Sequence, residues 1–205
     1  MQKKVYLEQV GPGYAAMFMN NGWKVVQNPE DADVICFTGG ADVAPMLYMQ
    51  PRHPKTSMDL VRDERCTNLF LEFEGEKKFV GICRGAQFLN VMNGGSLYQH
   101  VDGHATGQGH EVVDVESGES FHVSSTHHQM MIPTSEADLL LYAEVATIKE
   151  PDMLGIDIYD DWDIEAVFYE ETQSLCFQPH PEYFSSDDIC QQYFFAAIDD
   201  CIEGF

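Results

Sequence analysis

The sequence predicts an α/β fold built on a parallel sheet. Short apolar runs alternate with helical or turn segments through the first half of the chain, in the rhythm of strand, crossover and parallel strand. No internal repeat, low-complexity tract or linker divides the 205 residues, and 44% apolar content is enough for one sizeable core. The expectation is therefore a single domain over residues 1–205.

Taken in order, residues 4–10 read as a strand, Gly11-Pro12-Gly13 as a turn and residues 14–20 as a short helix. Residues 23–27 and 33–37 read as the second and third strands. A helix over 62–74, with Leu69, Phe70 and Phe73 inward, precedes a buried strand at Phe79-Val80-Gly81-Ile82. Residues 84–92 carry apolar side chains at helical spacing. The stretch 93–109 is rich in Gly and His and reads as loop, followed by β-like runs at 111–115, 121–124 and 139–146. Residues 165–170 and 174–178 form a β pair, and Ser185 or Ser186 caps a closing helix that runs to Ile202.

The charge excludes some partners. Asp and Glu number 34 against 11 Lys and Arg, a formal net of −23, and Lys149 is the only basic residue of that kind after Arg84. Such a surface repels phosphate backbones, so nucleic acid is not an expected partner. Solubility, a salty host interior or docking to a basic partner each account for it. No apolar run approaches the ~20 residues of a membrane span, and Val5-Tyr6-Leu7-Glu8-Gln9-Val10 is too short and polar for a signal core, so a cytoplasmic protein off the membrane is expected. The six cysteines show no C-x-x-C pairing and are expected as reduced thiols.

Chemistry concentrates in Gly81-Ile82-Cys83-Arg84-Gly85, a G-x-C-x-G turn between strand and helix. This is the layout of a nucleophile elbow, with the sulfur raised above the sheet edge and the helix N-terminus favouring negative charge. The alternative is a buried structural cysteine in such a turn. A cysteine nucleophile needs a base, a group to orient that base and donors for the oxyanion. Gln178-Pro179-His180-Pro181-Glu182 supplies the first two: His180 in a proline-fixed loop after a strand, and Glu182 two residues on, on the same side of an extended segment. Thr38-Gly39-Gly40, after the third strand, supplies a bare backbone N–H at Gly40, and Arg84 the second donor through its own N–H.

Taken together, G-G-x-D-V-x-P at Gly39, G-I-C-R-G-x-Q at Gly81, G-G-S-L-Y-Q at Gly94, S-S-T-H-H-Q at Ser124 and Q-x-H-P-E at Gln178 resemble the class I glutamine amidotransferases. Within them the wording is similar to the γ-glutamyl hydrolase branch that cleaves γ-glutamyl-γ-aminobutyrate. The resemblance implies a flavodoxin-like, mostly parallel sheet flanked by helices on both faces, with a small antiparallel addition. It implies Cys83, His180 and Glu182 as a catalytic triad, Gly40 and Arg84 as backbone oxyanion donors, and no cofactor. It implies that Gln87, Thr126, His127, His128 and Gln129 contact the α-amino and α-carboxylate end of a small γ-glutamyl substrate. Pro179 departs from the pattern, which has an aromatic or other apolar residue before the histidine.

The implied activity is hydrolysis of the γ-amide of glutamine or a γ-glutamyl amide through a thioester on Cys83. Two enzyme readings follow, a stand-alone γ-glutamyl hydrolase and a glutaminase serving a separate synthetase or amidoligase chain, and a catalytically silent binding protein is the third. The Arg84 side chain is read either as an electrostatic aid to the thiolate or as a solvated arginine. His100, His104, His110 and His122, with Asp102 and Asp114, match no compact ligand spacing and read as loop histidines, so no metal is expected. Arg62-Asp63 resembles a stretch of the γ-glutamyl hydrolase branch, and the resemblance implies packing at the approach to the site, without a catalytic role. The acids Asp157, Asp160, Asp161 and Asp163 read as a lid, a docking loop or a solvated surface.

Overall fold

A computed structural model of the chain describes residues 2–143, 148–149 and 162–202. Its first half follows the predicted alternation: β1 (Lys4–Leu7), α1 (Pro12–Asn20), β2 (Lys24–Val26), β3 (Val34–Phe37), α2 (Leu60–Phe73), β4 (Lys78–Ile82) and α3 (Arg84–Met92). The second half is mostly strand: β5 (Ser96–Tyr98), β6 (Val101–Asp102), β7 (His110–Asp114), β8 (Ser120–Val123), β9 (Met130–Ile132), β10 (Ala137–Ala143), β11 (Ile148–Lys149), β12 (Asp163–Tyr169) and β13 (Ser174–Phe177). The helix α4 (Ile189–Cys201) follows.

Among the described residues, nine strands form one sheet in the order β2-β1-β3-β4-β13-β12-β10-β7-β8. The half from β2 to β13 is parallel, as the sequence predicts. The antiparallel addition extends the same sheet by four strands, β12, β10, β7 and β8. The expected β pair is present, with Ala166 opposite Phe177 and Tyr169 opposite Ser174.

Alternation along the parallel strands divides the core between the two faces. Val34, Cys36, Val80, Ile82, Leu175 and Phe177 pack on one side with Phe18 of α1 and Phe194 of α4. Ile35, Phe37, Phe79 and Cys176 pack on the other with Phe70 of α2 and Phe88 of α3. The helix α1 starts two residues earlier than predicted because Pro12 is accommodated in its first turn, where its missing N–H costs nothing. Helix α2 is capped by Asp59, whose carboxylate accepts the Arg62 N–H at 3.1 Å.

Several expectations are corrected. The cap of α4 is Asp188, accepting the Cys190 N–H at 2.9 Å; the hydroxyl of Ser185 instead donates to Asp187. The stretch 93–109 is not all loop, since it carries β5, which pairs with β9, and β6, which pairs with β11. Asp163 is no surface acid: it opens β12 and is 1% exposed. Asp157, Asp160 and Asp161 lie outside the described residues. All six cysteines are free thiols. No helix among the described residues is long and apolar enough to cross a membrane.

Candidate active site

Neighbouring parallel strands end at one edge, and there the candidate residues meet. In register, Phe37 of β3 lies opposite Gly81 of β4, and Phe177 of β13 opposite Ile82. The glycine turn after β3, Cys83 after β4 and the His180 loop after β13 are thereby delivered side by side. Cys83 joins β4 to α3 with φ 54° and ψ −111°, a strained conformation for a residue with a Cβ. Its N–H donates to the Phe177 carbonyl at 2.9 Å, which ties the elbow to β13.

The two flanking glycines make the elbow sterically possible. A Cβ on Gly81 would stand 2.4 Å from the Gly85 carbonyl, and a Cβ on Gly85 would stand 2.0 Å from the Phe37 carbonyl oxygen. Arg84 is the first residue of α3, so its N–H has no acceptor within the helix and remains available near the sulfur. The residue Cys83 is 8% exposed, less open than the sequence suggests.

His180 lies beside Cys83, and its Nδ1 lies 2.6 Å from Glu182 Oε1. Burial favours a neutral imidazole, but the hydrogen bonds and charges of Cys83 and Glu182 outweigh it and push His180 up to about 10. The two-residue reach to Glu182 is made by a short 3-10 turn, Pro181–Tyr183, and not by an extended segment. Pro179 does not displace the loop from this geometry. The His180 N–H donates to Ser124 Oγ at 2.7 Å, and the Tyr183 ring stacks on the imidazole at 4.6 Å between centroids.

Sequence reasoning missed Tyr14. Its hydroxyl accepts the Gly39 N–H at 3.1 Å, and the phenol lies beside Glu182, so one ring stands between the glycine turn and the acid that holds His180. Burial and the Glu182 charge push the phenol well up, so it remains a donor. The local signal was Gly13, at which a Cβ would meet Glu182 Cγ at 3.2 Å.

Arg62 does more than pack the approach. Its Nη1 donates to the Gly39 carbonyl at 2.9 Å and its Nη2 to the Thr38 carbonyl at 2.9 Å, while Nη2 also meets Glu8 Oε2 at 2.7 Å. Gly40, at φ +151°, passes so close to this guanidinium that a Cβ would stand 2.1 Å from Nη1. The carbonyls of the turn are thus turned onto Arg62, which fixes the plane of the peptide groups that carry its N–H donors.

The Arg84 side chain is neither solvated nor aimed at the sulfur. It is 1% exposed, paired with Asp63, 3.3 Å from Cys66 Sγ and stacked over Phe88 at 5.0 Å. Both sequence-based readings of its side chain are overturned because α2 supplies a buried carboxylate to meet it.

The residues implied to bind substrate divide into two sets. Gln87 is buried and donates to the Gln129 carbonyl at 3.1 Å and to Gln178 Oε1 at 3.0 Å. Gln129 is also buried, donating to the Gln99 carbonyl at 3.2 Å. His127 is 4% exposed and turned inward, with Nδ1 2.9 Å from the Gln129 carbonyl. By contrast, Thr126 is exposed beside Tyr183, and His128 is half-buried with Nε2 3.1 Å from Asp42 Oδ2.

Of the four histidines read as loop residues, His122 is exposed and His100 lies at a half-buried edge beside Asp102. His104 is 0% exposed, and His110 is largely buried at the start of β7. These two meet His127 around Glu165 of β12. Burial raises the Glu165 carboxyl, but the neighbouring imidazoles of His127 and His110 more than offset this and hold it down at about 2. No local spacing could reveal this group, since its members come from two strands and two loops.

Comparison with known proteins identifies the family. Peptidase C26 matches residues 20–182. A protein of Mycobacterium tuberculosis, provisionally named a glutamine amidotransferase, is 30% identical over 98% of this chain and 73% of its own length. A glutamine amidotransferase-like protein of Lactococcus lactis is 30% identical over 73% of this chain, which spans 66% of that relative's length. The chain spans 30% of the length of the Enterococcus hirae protein NtpR, at 42% identity. Two solved structures share the fold. One is a protein of Thermoplasma acidophilum provisionally described as one component of a GMP synthase (TM-score 0.67, 15% identity, 98% of this chain and 94% of that one). The other is a glutamine amidotransferase of Thermotoga maritima (TM-score 0.62, 16% identity, 98% and 84%). With the family match extending over most of its length, this chain belongs to the peptidase C26 family, a glutamine amidotransferase-like group of hydrolase type.

Proposed function

We propose that the chain cleaves the γ-amide of glutamine or of a γ-glutamyl amide through a γ-glutamyl thioester on Cys83. The observation that carries this reading is His180, held by Glu182 at 2.6 Å, set beside Cys83 at a strained strand-to-helix elbow. The Cys83 sulfur attacks the γ-carbonyl carbon, and the N–H groups of Gly40 and Arg84 receive the oxyanion. As the tetrahedral intermediate collapses, the C–N bond breaks and His180 gives its proton to the leaving ammonia or amine. Water then attacks the thioester with His180 as base, glutamate departs and the thiol is restored. Glu182 holds the imidazole in position throughout. Thr126 and His128 are assigned the α-amino and α-carboxylate end of the substrate first, because Gln87, His127 and Gln129 are bonded into the interior.

A second reading passes the ammonia to a partner chain. What favours it is that similar proteins include a carbamoyl phosphate synthase small chain of Pyrococcus furiosus, 28% identical over 54% of this chain, alongside the GMP synthase component named above. The deciding experiment measures glutamate release from glutamine and from γ-glutamyl-γ-aminobutyrate, beside Cys83→Ala. Turnover of the γ-glutamyl amide, absent from the variant, supports the hydrolase. No turnover of either, with Cys83 still alkylated by a glutamine-analogue electrophile, supports the partnered glutaminase. Turnover that persists in Cys83→Ala overturns both.

A further inference from the structure

Three imidazoles converge on one buried carboxylate oxygen. Glu165 Oε1 lies 3.1 Å from His110 Nε2, 3.4 Å from His104 Nδ1 and 3.6 Å from His127 Nε2. Glu165 is 0% exposed, yet among the described residues neither of its oxygens has a well-directed hydrogen bond, and neither do His110 Nε2 and His127 Nε2. Leaving a buried carboxylate without hydrogen bonds is costly, and so strong an acceptor calls for a cation.

The outer contacts of the rings say which nitrogens face inward as acceptors. His104 presents Nε2 to Asp163 Oδ2 at 2.9 Å, and His127 presents Nδ1 to the Gln129 carbonyl at 2.9 Å. Both partners accept, so both outer nitrogens carry the proton, and in a neutral ring the inner nitrogen is then an acceptor on the side of the carboxylate. Ser125 lies 3.3 Å from His104 Nδ1, but its hydroxyl proton goes to the His104 carbonyl. A histidine whose far N–H is held by a carboxylate or carbonyl is the usual support of a metal ligand.

The spacing agrees with this. Ligands at roughly 2.0–2.1 Å around a tetrahedral zinc stand about 3.3–3.4 Å from one another. The three separations from Glu165 bracket that edge, and the donor atoms of His104, His110 and Glu165 all lie within 4.8 Å of one another. We propose that His104, His110 and Glu165 form a binding site for a zinc-class divalent cation, with His127 the nearest side chain for a fourth position. Mixed imidazole and carboxylate donors suit zinc, and a site this enclosed serves structure. The ion would tie β7 and β12 to the loops that hold His104 and His127. The second of these loops also carries Ser124, which holds the His180 backbone, so the ion would brace the support of the candidate base from behind.

The test is cobalt substitution in tag-free protein stripped of metal with dipicolinate and checked for fold by circular dichroism. The expected result is saturable uptake of about one Co2+ per chain, with the intense visible bands of a low-coordinate ion, displaced by Zn2+. His110→Ala, at the edge of the cluster, is expected to weaken uptake at least ~10-fold, and Asp163→Asn by ~10–100-fold through the loss of its hold on His104. Zn2+ should also raise the melting temperature of the stripped protein. Three results overturn the site: no visible bands in the wild-type protein, bands accompanied by sulfur-to-cobalt charge transfer, which would mark a cysteine site, or uptake unchanged in both variants. The wild-type titration decides alone if a variant does not fold. None of these readouts depends on catalytic activity.

Discussion

The backbone at Cys83 is held at φ 54° where β4 turns sharply into α3. Positive φ costs an L-residue roughly 1–2 kcal/mol. Cys83→Ala and Cys83→Gly both remove the thiol, but only glycine relieves the strain, with part of the gain returned to the freer unfolded chain. Cys83→Gly is therefore expected to be about 1 kcal/mol more stable than Cys83→Ala in urea unfolding; equal stability would mean that the elbow stores no strain. At His180 the signs are equally definite. Its folded pKa, about 10, exceeds the ordinary 6.5, so the protonated form contributes stability that is complete below 6.5 and disappears as pH rises through about 10. Glu182→Gln is expected to lower the urea midpoint clearly at neutral pH and much less at about pH 11, where His180 is neutral in both proteins. The same loss at both pH values would rule out the charge pairing. Arg62→Lys tests the proposed oxyanion role of the glycine turn, since an ammonium cannot reproduce a fork that serves Thr38, Gly39 and Glu8 together. The expected outcome is a fall in kcat of ~10–100-fold with KM nearly unchanged, as befits a residue that positions the proposed oxyanion donors.

Between elements, the closest approaches are made through glycine. Gly85 brings α3 against β3 so tightly that a methyl group would meet the Phe37 carbonyl oxygen at 2.0 Å, whereas Gly118, at φ +72°, has nothing within 4 Å of its Cβ position. Gly118→Ala is expected to cost about 1 kcal/mol, the strain of positive φ alone. Gly85→Ala has to part a helix from a strand, and is expected to cost well over ~3 kcal/mol in urea unfolding or to prevent folding; costs that match at the two sites would contradict the close packing. The elements most readily read from sequence were those with a local cause: buried runs at β3 and β4, the apolar spacing of α3, the glycines of the elbow. Those that were missed depend on distant partners. β5 and β9 are three-residue strands that exist through each other, and the inward turn of His127 is set by Glu165. Asp188 was passed over as a cap because two serines stand just before it with equal intrinsic capping power. The candidate triad was legible since each member sits beside a strand end with its own turn signal. The fate of the Arg84 side chain was not, because its partner Asp63 lies a helix away.

Across the whole molecule, 34 acids oppose 11 basic residues, ten of which lie at or before Arg84. The distribution leaves the antiparallel half of the sheet and α4 with acids and almost no cations of their own. In the parallel half the buried acids are matched by cations: Glu8 is met by Arg62 and Arg65, and Asp63 by Arg84. Buried pairs respond little to salt, because no ions enter between them, while like charges on the surface repel over a Debye length that shrinks from roughly 30 Å at 0.01 M to ~8 Å at 0.15 M. Folding brings the surface acids closer together than they stand in the unfolded chain, so a net charge of −23 opposes the compact state. The urea midpoint is accordingly expected to rise with sodium chloride, most steeply below ~0.15 M, where the reach of the repulsion shortens fastest. A midpoint that falls over the same range would show that exposed attractive pairs such as Lys3–Asp199 outweigh the repulsion. Given that such pairs contribute only ~0–1 kcal/mol each, and that so few cations are available to form them, repulsion is the term that salt should reveal.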